Sequence, residues 1–427
     1  MNARPSAILA SFLLLAGGCF AGTASAQIER VSVGAAGVEA NADSYDAAVS
    51  DNGQIIAFRS TASNLVAGDD NKWPDVFVRD LGSTTTEMVS GHIAQEHRYS
   101  QHPGISADGQ IVVMQTDIVV GYGYGSSQIV VHDRGTGAST VLVPPGGQSQ
   151  APAVSGNGQF IAFHSVSNVL VNGDSNSTID SFVVDRVTVP AAPIERVSLD
   201  AAGVEGVGDS FSPTLSDDGR QVAFYSYANN LVAGDTNEHE DIFVKDRQTG
   251  GIVMASVASD GSIGNGDSYK PVISGNGKFV VFRSQASNLV PGDTNRRWDI
   301  FVRDLTLNQT TRVSVSSSGA EANNNSLQAD ISKDGRYVVF RSNASNLVAG
   351  DTNKRGDIFV HDRSSGRTER VSVPASGEAD GHSFNPVISG DGEWIVFESV
   401  ATNLVAGDTN KARDIFRVAN PLSGAQP

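Results

Sequence analysis

The residues best placed to do chemistry in this 427-residue chain are acidic, and they recur. Six times the sequence carries Asp-x-Asn-x3-Asp: Asp69/Asn71/Asp75, Asp174/Asn176/Asp180, Asp235/Asn237/Asp241, Asp293/Asn295/Asp299, Asp351/Asn353/Asp357 and Asp408/Asn410/Asp414. Oxygen ligands alternating at the start of a tight loop suit a hard cation such as Ca2+. In five of the six a further Asp follows eleven residues after the first, as Asp362 follows Asp351, which imitates the ligand count of an EF-hand. The imitation fails on distance: the intervening residues read as an extended strand, and at roughly 3.3 Å per residue they carry that Asp well over 10 Å from the loop. The same side chains also make Asx turns by accepting from backbone N–H groups, and structural glue recurs where an active site does not. Two readings therefore stand side by side, hydrogen-bonded turns and weak Ca2+ sites of the extracellular kind. The Asp ending each following strand (Asp80, Asp133, Asp185, Asp246, Asp304, Asp362) is expected to anchor the next turn.

One neighbourhood breaks the pattern. Where the acidic loop should stand, residues 121–127 read Gly-Tyr-Gly-Tyr-Gly-Ser-Ser, and the linker before that unit holds His92, Glu96, His97 and His102. Imidazoles titrate near neutral pH and bind metals, and Tyr122 and Tyr124 offer two aromatic faces to a sugar or a partner side chain. A dedicated ligand site is expected here, on His92, His97, His102, Tyr122 and Tyr124; the opposing reading is drift in a degenerate unit with solvated histidines. Enzyme signatures are missing: no Gly-x-Ser-x-Gly, no His-Glu-x-x-His, no phosphate loop and no Cys–His pair occurs. Arg59, Arg283 and Arg341 each follow a strand Phe and so point away from it, to pair with loop carboxylates, to stack, or to lie in solvent.

The elements that must position these residues repeat. A Ser-x-[Asp/Asn]-Gly turn begins at Ser50, Ser106, Ser155, Ser216, Ser274, Ser332 and Ser389, at intervals of 49 to 61 residues. Asp-Gly and Asn-Gly are strong hairpin signals because the turn needs positive φ. A short strand precedes each turn and an alternating one follows, such as Lys278 to Ser284. The acidic loop, a third strand (Asp299 to Asp304), a turn and a fourth strand (Thr311 to Val315) complete the unit. Four strands per unit without helical periodicity predict an all-β repeat. Residues 28–33 read as a fourth strand lacking its first three, and residues 414–418 as a third strand lacking its fourth. Joining them closes a ring of seven four-stranded blades and removes the exposed edges of an open array.

Composition bounds the rest. Residues 1–26, with Arg4, an apolar run from Ile8 to Ala16 and Ala24-Ser25-Ala26, read as a secretory signal ahead of one propeller over 27–420 and a tail over 421–427. Lipidation at Cys19 is the poorer match. Cys19 is the only cysteine, so no disulfide framework is expected, which fits a bacterial periplasm or exterior. The net charge is −17, and a chain so acidic repels nucleic acid and anionic membrane surfaces. No later segment is apolar enough for a transmembrane helix, and a monomer is expected.

The Ser-x-[Asp/Asn]-Gly turn, the Val-x-Phe after it, the Asp-Ile-Phe-Val-x-Asp strand and a Thr-Gly turn, as at Gln248-Thr249-Gly250, together resemble the TolB-like β-propeller repeats, relatives of the WD-repeat propellers. The resemblance spans residues 27–419 and implies fold more than function, since such propellers serve as docking platforms, sugar binders and enzymes. Seven units depart from the six blades of TolB itself. The expectation is an exported, non-catalytic scaffold binding an envelope or extracellular protein, or a glycan, through its loop-rich face. The alternative is a metal-dependent polysaccharide-active enzyme resembling propeller-fold lyases with histidine-held metal. A third reading is a module stabilised by Ca2+ alone.

Overall fold

The computed structural model describes residues 27–91, 98–120, 123–143, 148–187 and 194–424. The expected signal segment, residues 1–26, lies outside them. Within these residues the chain forms seven four-stranded antiparallel sheets. In blade 5 the strands are Ser268–Ile273, Phe279–Ser284, Asp299–Asp304 and Gln309–Arg312. The first strands of successive blades touch around a closed circle, so they surround the axis.

Blade 7 is completed from the other end of the chain. Its strands Ser383–Ile388, Trp394–Ser399 and Asp414–Ala419 are joined by Glu29–Arg30, with Glu29 opposite Arg417 and Arg30 opposite Phe416. The ring is closed as the two half-units require.

Each blade is covered on both faces by its neighbours, which changes the second strand. Alternation is expected from Lys278 to Ser284, yet Val280, Val281 and Phe282 are all fully buried. A sheet buried on both faces needs a continuous apolar run, not a two-residue period. In six blades a Phe of the second strand packs against a Phe of the third, from Phe163–Phe182 at 5.6 Å to Phe282–Phe301 at 6.0 Å between ring centroids. Blade 2 puts Met114 opposite Val130 instead.

The Ser-x-[Asp/Asn]-Gly turns hold the far end of the axis. Ser50 Oγ donates to Asn52 Oδ1 at 2.9 Å and accepts from Ile55 N at 3.0 Å. In blade 6 the turn glycine Gly335 has φ +79°, and a Cβ there would overlap the Phe279 ring of the preceding blade, so conformation and space both demand glycine. Backbone bonds of 2.9 to 3.1 Å link each turn to the next: Asp51 N to Ala107 O, Ala107 N to Gly156 O, Asn157 N to Asp217 O, Asp217 N to Gly275 O, Asn276 N to Lys333 O, Lys333 N to Gly390 O, and Asp391 N to Asp51 O. They form a second closed ring, independent of the strand that seals blade 7.

Candidate functional site

The first strand of every blade loses register with the second at one place. The residue there has left-handed φ: Asp46 +52°, His102 +49°, Ala151 +47°, Ser212 +47°, Lys270 +52°, Gln328 +46° and Asn385 +43°. None is glycine, although such a conformation costs an ordinary residue about 1–2 kcal/mol. Bulges re-aim side chains next to functional sites, and strain that the fold sustains seven times invites a functional reading. All seven residues line one axial cavity of about 520 Å3. The backbone is the same in each blade, and the seven residue types all differ.

Side chains from the second strands back this ring. On the side of blades 7 and 1 the charges are paired: Asp46 lies 3.5 Å from Arg59, and Arg413 donates to the buried Glu398 at 3.0 Å. Glu398 also accepts from Asp46 N and Asn385 Nδ2, each at 2.8 Å, while burial pushes its carboxyl upward. Across the cavity Lys270 Nζ reaches Ser212 Oγ at 3.2 Å. Ser212 N donates to His164 Nδ1 at 3.4 Å. Burial, then the charges of Lys270 and His102, lower His164 to about 4, so its ring is neutral at pH 7 and free to accept.

Asp51 lies five residues beyond Asp46, roughly 16 Å along the strand, and there Lys333 spans the bore. Its ammonium is 3.1 Å from Asp51 in blade 1 and 2.5 Å from Asp217 in blade 4. Neither blade is adjacent to blade 6, so the lysine crosses the axis and narrows the turn end. The cavity's access is from the loop-rich end.

Beside that mouth the inter-blade seam carries aromatic side chains. Phe211 stacks on Tyr225 at 5.2 Å, Tyr225 meets Tyr269 edge-on at 5.3 Å, and Tyr269 lies 5.6 Å from Trp298. Phe211, Tyr225, Tyr227 and Tyr269 line a second hollow with Thr178 and Val207. Tyr227 is 54% exposed and Val207 63%.

The acidic loops are Asx turns in geometry. Asn295 Nδ2 donates to Asp299 Oδ2 at 2.7 Å, Asn295 Oδ1 accepts from Arg297 N at 2.7 Å, and Ser314 Oγ donates to Asp299 Oδ1 at 2.5 Å. In four blades an arginine of the fourth strand fills the centre of the acidic group. Arg312 NH1 lies 3.2 Å from Asp293, 3.7 Å from Asp299 and 3.1 Å from Glu321. Arg30, Arg196 and Arg370 do the same for Asp408/Asp414, Asp174/Asp180 and Asp351/Asp357.

The asparagines of these arginine-filled loops, set out above as candidate cation ligands, are engaged by the protein itself. Asn176 Nδ2 donates to Gly206 O at 2.9 Å, and its Oδ1 accepts from Thr178 N at 3.1 Å. Asn353 Nδ2 donates to Asp357 Oδ2 at 3.1 Å, and its Oδ1 accepts from Arg355 N at 2.8 Å. Asn410 Nδ2 donates to Asp414 Oδ2 and to Ala40 O, each at 2.9 Å, and its Oδ1 accepts from Ala412 N at 2.8 Å. With a guanidinium at the centre and the amide oxygen turned to a backbone N–H, Asn176, Asn353 and Asn410 act as turn formers and loop ties. The geometry in those blades corresponds to the hydrogen-bonded alternative.

In blades 1 and 4 the position opposite the third-strand Phe is Met88 and Met254. There, among the described residues, Asp69, Asn71 and Asp75, and Asp235, Asn237 and Asp241, have no arginine between them, although Asn71 and Asn237 make the same turn bonds, accepting from Trp73 N at 2.7 Å and His239 N at 3.1 Å. Burial first, and the neighbouring carboxylates second, push Asp69 up to about 6, and burial raises Asp241 to about 6. The strand-ending aspartates anchor turns as expected: Asp246 Oδ1 accepts from Gln248 N at 2.9 Å and Thr249 N at 3.2 Å.

Of the residues expected to bind a ligand, His102 stands in the axial ring, not on a peripheral loop. His92, His97 and Tyr122 lie outside the described residues, as does Glu96. Tyr124 belongs to Gly123–Asp133, paired with Ile111–Val120 through Val119 opposite Tyr124. Residues 123–127 of the Gly-Tyr segment thus belong to a strand where a loop was expected. Among the described residues no group of three His, Cys, Asp or Glu side chains is placed to hold a metal. Arg59, Arg283 and Arg341 stack on Tyr45, Tyr269 and Phe384 and reach no loop carboxylate. Five of the seven bulge residues precede proline (Pro103, Pro152, Pro213, Pro271, Pro386), and Pro inside a strand marks a bulge. That signal was present in the sequence.

No protein-family model matches the chain, and no curated protein matches it. Solved structures do. An oligogalacturonate lyase in complex with manganese is 12% identical, with a TM-score of 0.56 over 94% of this chain and 95% of that one. The β-propeller domain of the Trilobed protease from Pyrococcus furiosus is 12% identical, with a TM-score of 0.55 over 88% of this chain and 95% of that one. TolB from Acinetobacter baumannii is 15% identical at a TM-score of 0.43, over 74% of this chain; the chain spans 63% of its length. At these identities the likeness shows the β-propeller fold.

Proposed function

We propose that this propeller is an exported, monomeric, non-catalytic binding protein whose ligand enters the axial cavity from the loop-rich face. One observation carries the reading: seven equivalent positions keep one costly backbone conformation while presenting seven different side chains to a shared space. Uniform structural glue would repeat its side chain, as the acidic loops and the Phe pairs do. A glycan fits better than a protein partner, because the space is concave and flanked by aromatic rings that suit sugar faces. Calorimetric titration with a panel of oligosaccharides tests it. Binding that is lost in Gln328→Leu/Asn385→Leu, with the fold verified at the assay temperature by circular dichroism, is expected; a ligand that binds those variants normally removes the axial cavity from the account.

The second reading is a metal-dependent, polysaccharide-active enzyme. It is favoured by His102 in the cavity and by likeness in fold to a manganese-bound oligogalacturonate lyase. Incubating the protein with Mn2+ and oligogalacturonate, and watching for the ultraviolet absorbance of a new double bond, decides between the two. Calcium, where it acts, fits the loops of blades 1 and 4, since arginine takes the cation's place in the other four. No helix among the described residues is long and apolar enough to cross a membrane, and the net charge of −17 disfavours nucleic acid.

A further inference from the structure

The axial cavity is not electrically uniform. The wall at blades 7 and 1 is neutralised internally by Asp46–Arg59 and Glu398–Arg413. The wall at blades 5 and 6 holds Lys270, Arg283 and Arg341, which form no ion pair among the described residues. Lys270 and Arg283 both line the cavity. Burial, and then the charge of Arg283, lower the Lys270 pKa against the opposing pull of Asp46, and burial lowers that of Arg283. Arg283 Nε is buried without a hydrogen-bond partner. In a chain of net charge −17, Lys270 and the half-buried Arg283 face this space with Asp46, already paired to Arg59, as the carboxylate acting on Lys270, and an anion bound between the two cations would balance their charge.

The Arg283 guanidinium sits 5.4 Å from the Tyr269 ring centre and 5.2 Å from that of Trp298. Tyr269 in turn lines the hollow shared with Phe211, Tyr225 and Tyr227. Cation and aromatic shelf are therefore continuous, leading from the axis to the rim between blades 4 and 5.

We propose that Lys270 and Arg283 form a carboxylate-binding subsite for an acidic glycan, a chain of uronic-acid sugars whose ring faces lie along the Tyr225–Tyr269 shelf. The proposal rests on the axial-binding reading above. Arginine presents planar paired donors to a carboxylate and lysine adds a point charge, while the aromatic rings meet the C–H faces of the sugars. A purely peptidic ligand would use the cations but would not need a shelf continuous with them.

The test compares a trimer of galacturonic acid with its fully methyl-esterified form, which keeps the ring faces and removes the charge. An Asp-rich peptide serves as a third probe. Tighter binding of the acid by about tenfold or more is expected. Lys270→Gln and Arg283→Gln should each erase that preference, bringing acid and ester to equal affinity. Equal affinity for acid and ester, in wild type and variants, overturns the carboxylate subsite and leaves glycan binding in the cavity standing. Binding of the peptide alone overturns the glycan assignment. Failure of both sugars and the peptide to bind overturns the subsite together with the reading beneath it.

Discussion

Ser32 donates its hydroxyl to Asp414 Oδ1 at 2.6 Å, joining residues 382 positions apart. The same bond is made locally elsewhere, by Ser90 to Asp75, Ser198 to Asp180, Ser256 to Asp241, Ser314 to Asp299 and Ser372 to Asp357, at 2.5 to 2.6 Å. Blade 7 therefore receives from the N-terminal strand the clasp that five other blades make for themselves. Both partners are fully buried, so Ser32→Ala should cost about 1–3 kcal/mol, read as a lowered chemical-denaturation midpoint. Deleting residues 28–33 should leave an open edge and promote association. A deletion variant that stays monomeric with wild-type melting would refute the clasp.

Arg312 is expected to be worth more than a surface ion pair. Arg312→Met leaves Asp293 and Asp299 buried without a counter-charge, and breaking such a group costs about 3–5 kcal/mol. Adding Glu321→Ile should recover part of that loss, because blade 4 carries Met254 and Ile263 at the corresponding places. Denaturant titration of both variants checks it; no recovery in the double variant would show that the arginine and the glutamate act separately.

Calcium should stabilise the protein through blades 1 and 4. One saturable site adds about 2.7 kcal/mol when the ion is at 100 times its Kd. Melting in EDTA and in millimolar Ca2+ is expected to differ, and Asp69→Asn with Asp241→Asn should abolish the difference. Identical curves for the wild type would leave all six loops as hydrogen-bonded turns.

The pH dependence has two opposed limbs. Burial raises Asp241, Asp299 and Asp351 from 3.8 to about 6. Raised carboxylates favour the folded state fully below their unfolded pKa, and that contribution is lost as pH climbs through 6. Glu39 is held at about 2 by the Thr409 hydroxyl and Arg30; Asp362 also sits at about 2, where burial is outweighed by Arg336, Ser365 and Ser364. Their contribution is present above their unfolded values and lost as pH falls toward 2. Melting temperature should peak between about pH 4 and 5. Asp241→Asn should flatten the limb between pH 4 and 6, which calorimetry across pH 2–8 reads directly; a peak above pH 7 would contradict this balance.

The architecture was legible because it is built from repeated chemistry. The Ser-x-[Asp/Asn]-Gly turns, the Asp-Ile-Phe-Val-x-Asp strands and the two half-units at the ends each imply a neighbour, and the neighbours close on themselves. The axial ring was not legible by the same means. Asp46, His102, Ala151, Ser212, Lys270, Gln328 and Asn385 share a backbone conformation and no side chain, so a search for recurring residues passes over them. His102 was singled out for its company with His92 and His97, whereas its place in the structure follows from the bulge before Pro103. The arginines at the acidic loops were hidden for another reason: Arg312 lies 13 residues after Asp299, and only strand pairing brings it back to that carboxylate. Spacing alone therefore could not separate Asn176, Asn353 and Asn410, beside an arginine, from Asn71 and Asn237, which have none.

Pairing Glu29 with Arg417 also sets an order in time. The first strand of the ring to leave the ribosome finds its partner 388 residues later. Blades 1 to 6 are complete in themselves once their own residues have emerged, so they can assemble in sequence as the chain lengthens. Glu29 and Arg30 cannot. They must be kept from pairing with any other strand edge until the last blade exists, and joining the two ends is the step of highest loop-closure cost. For this protein, misfolding is most to be feared in the interval before the final residues arrive.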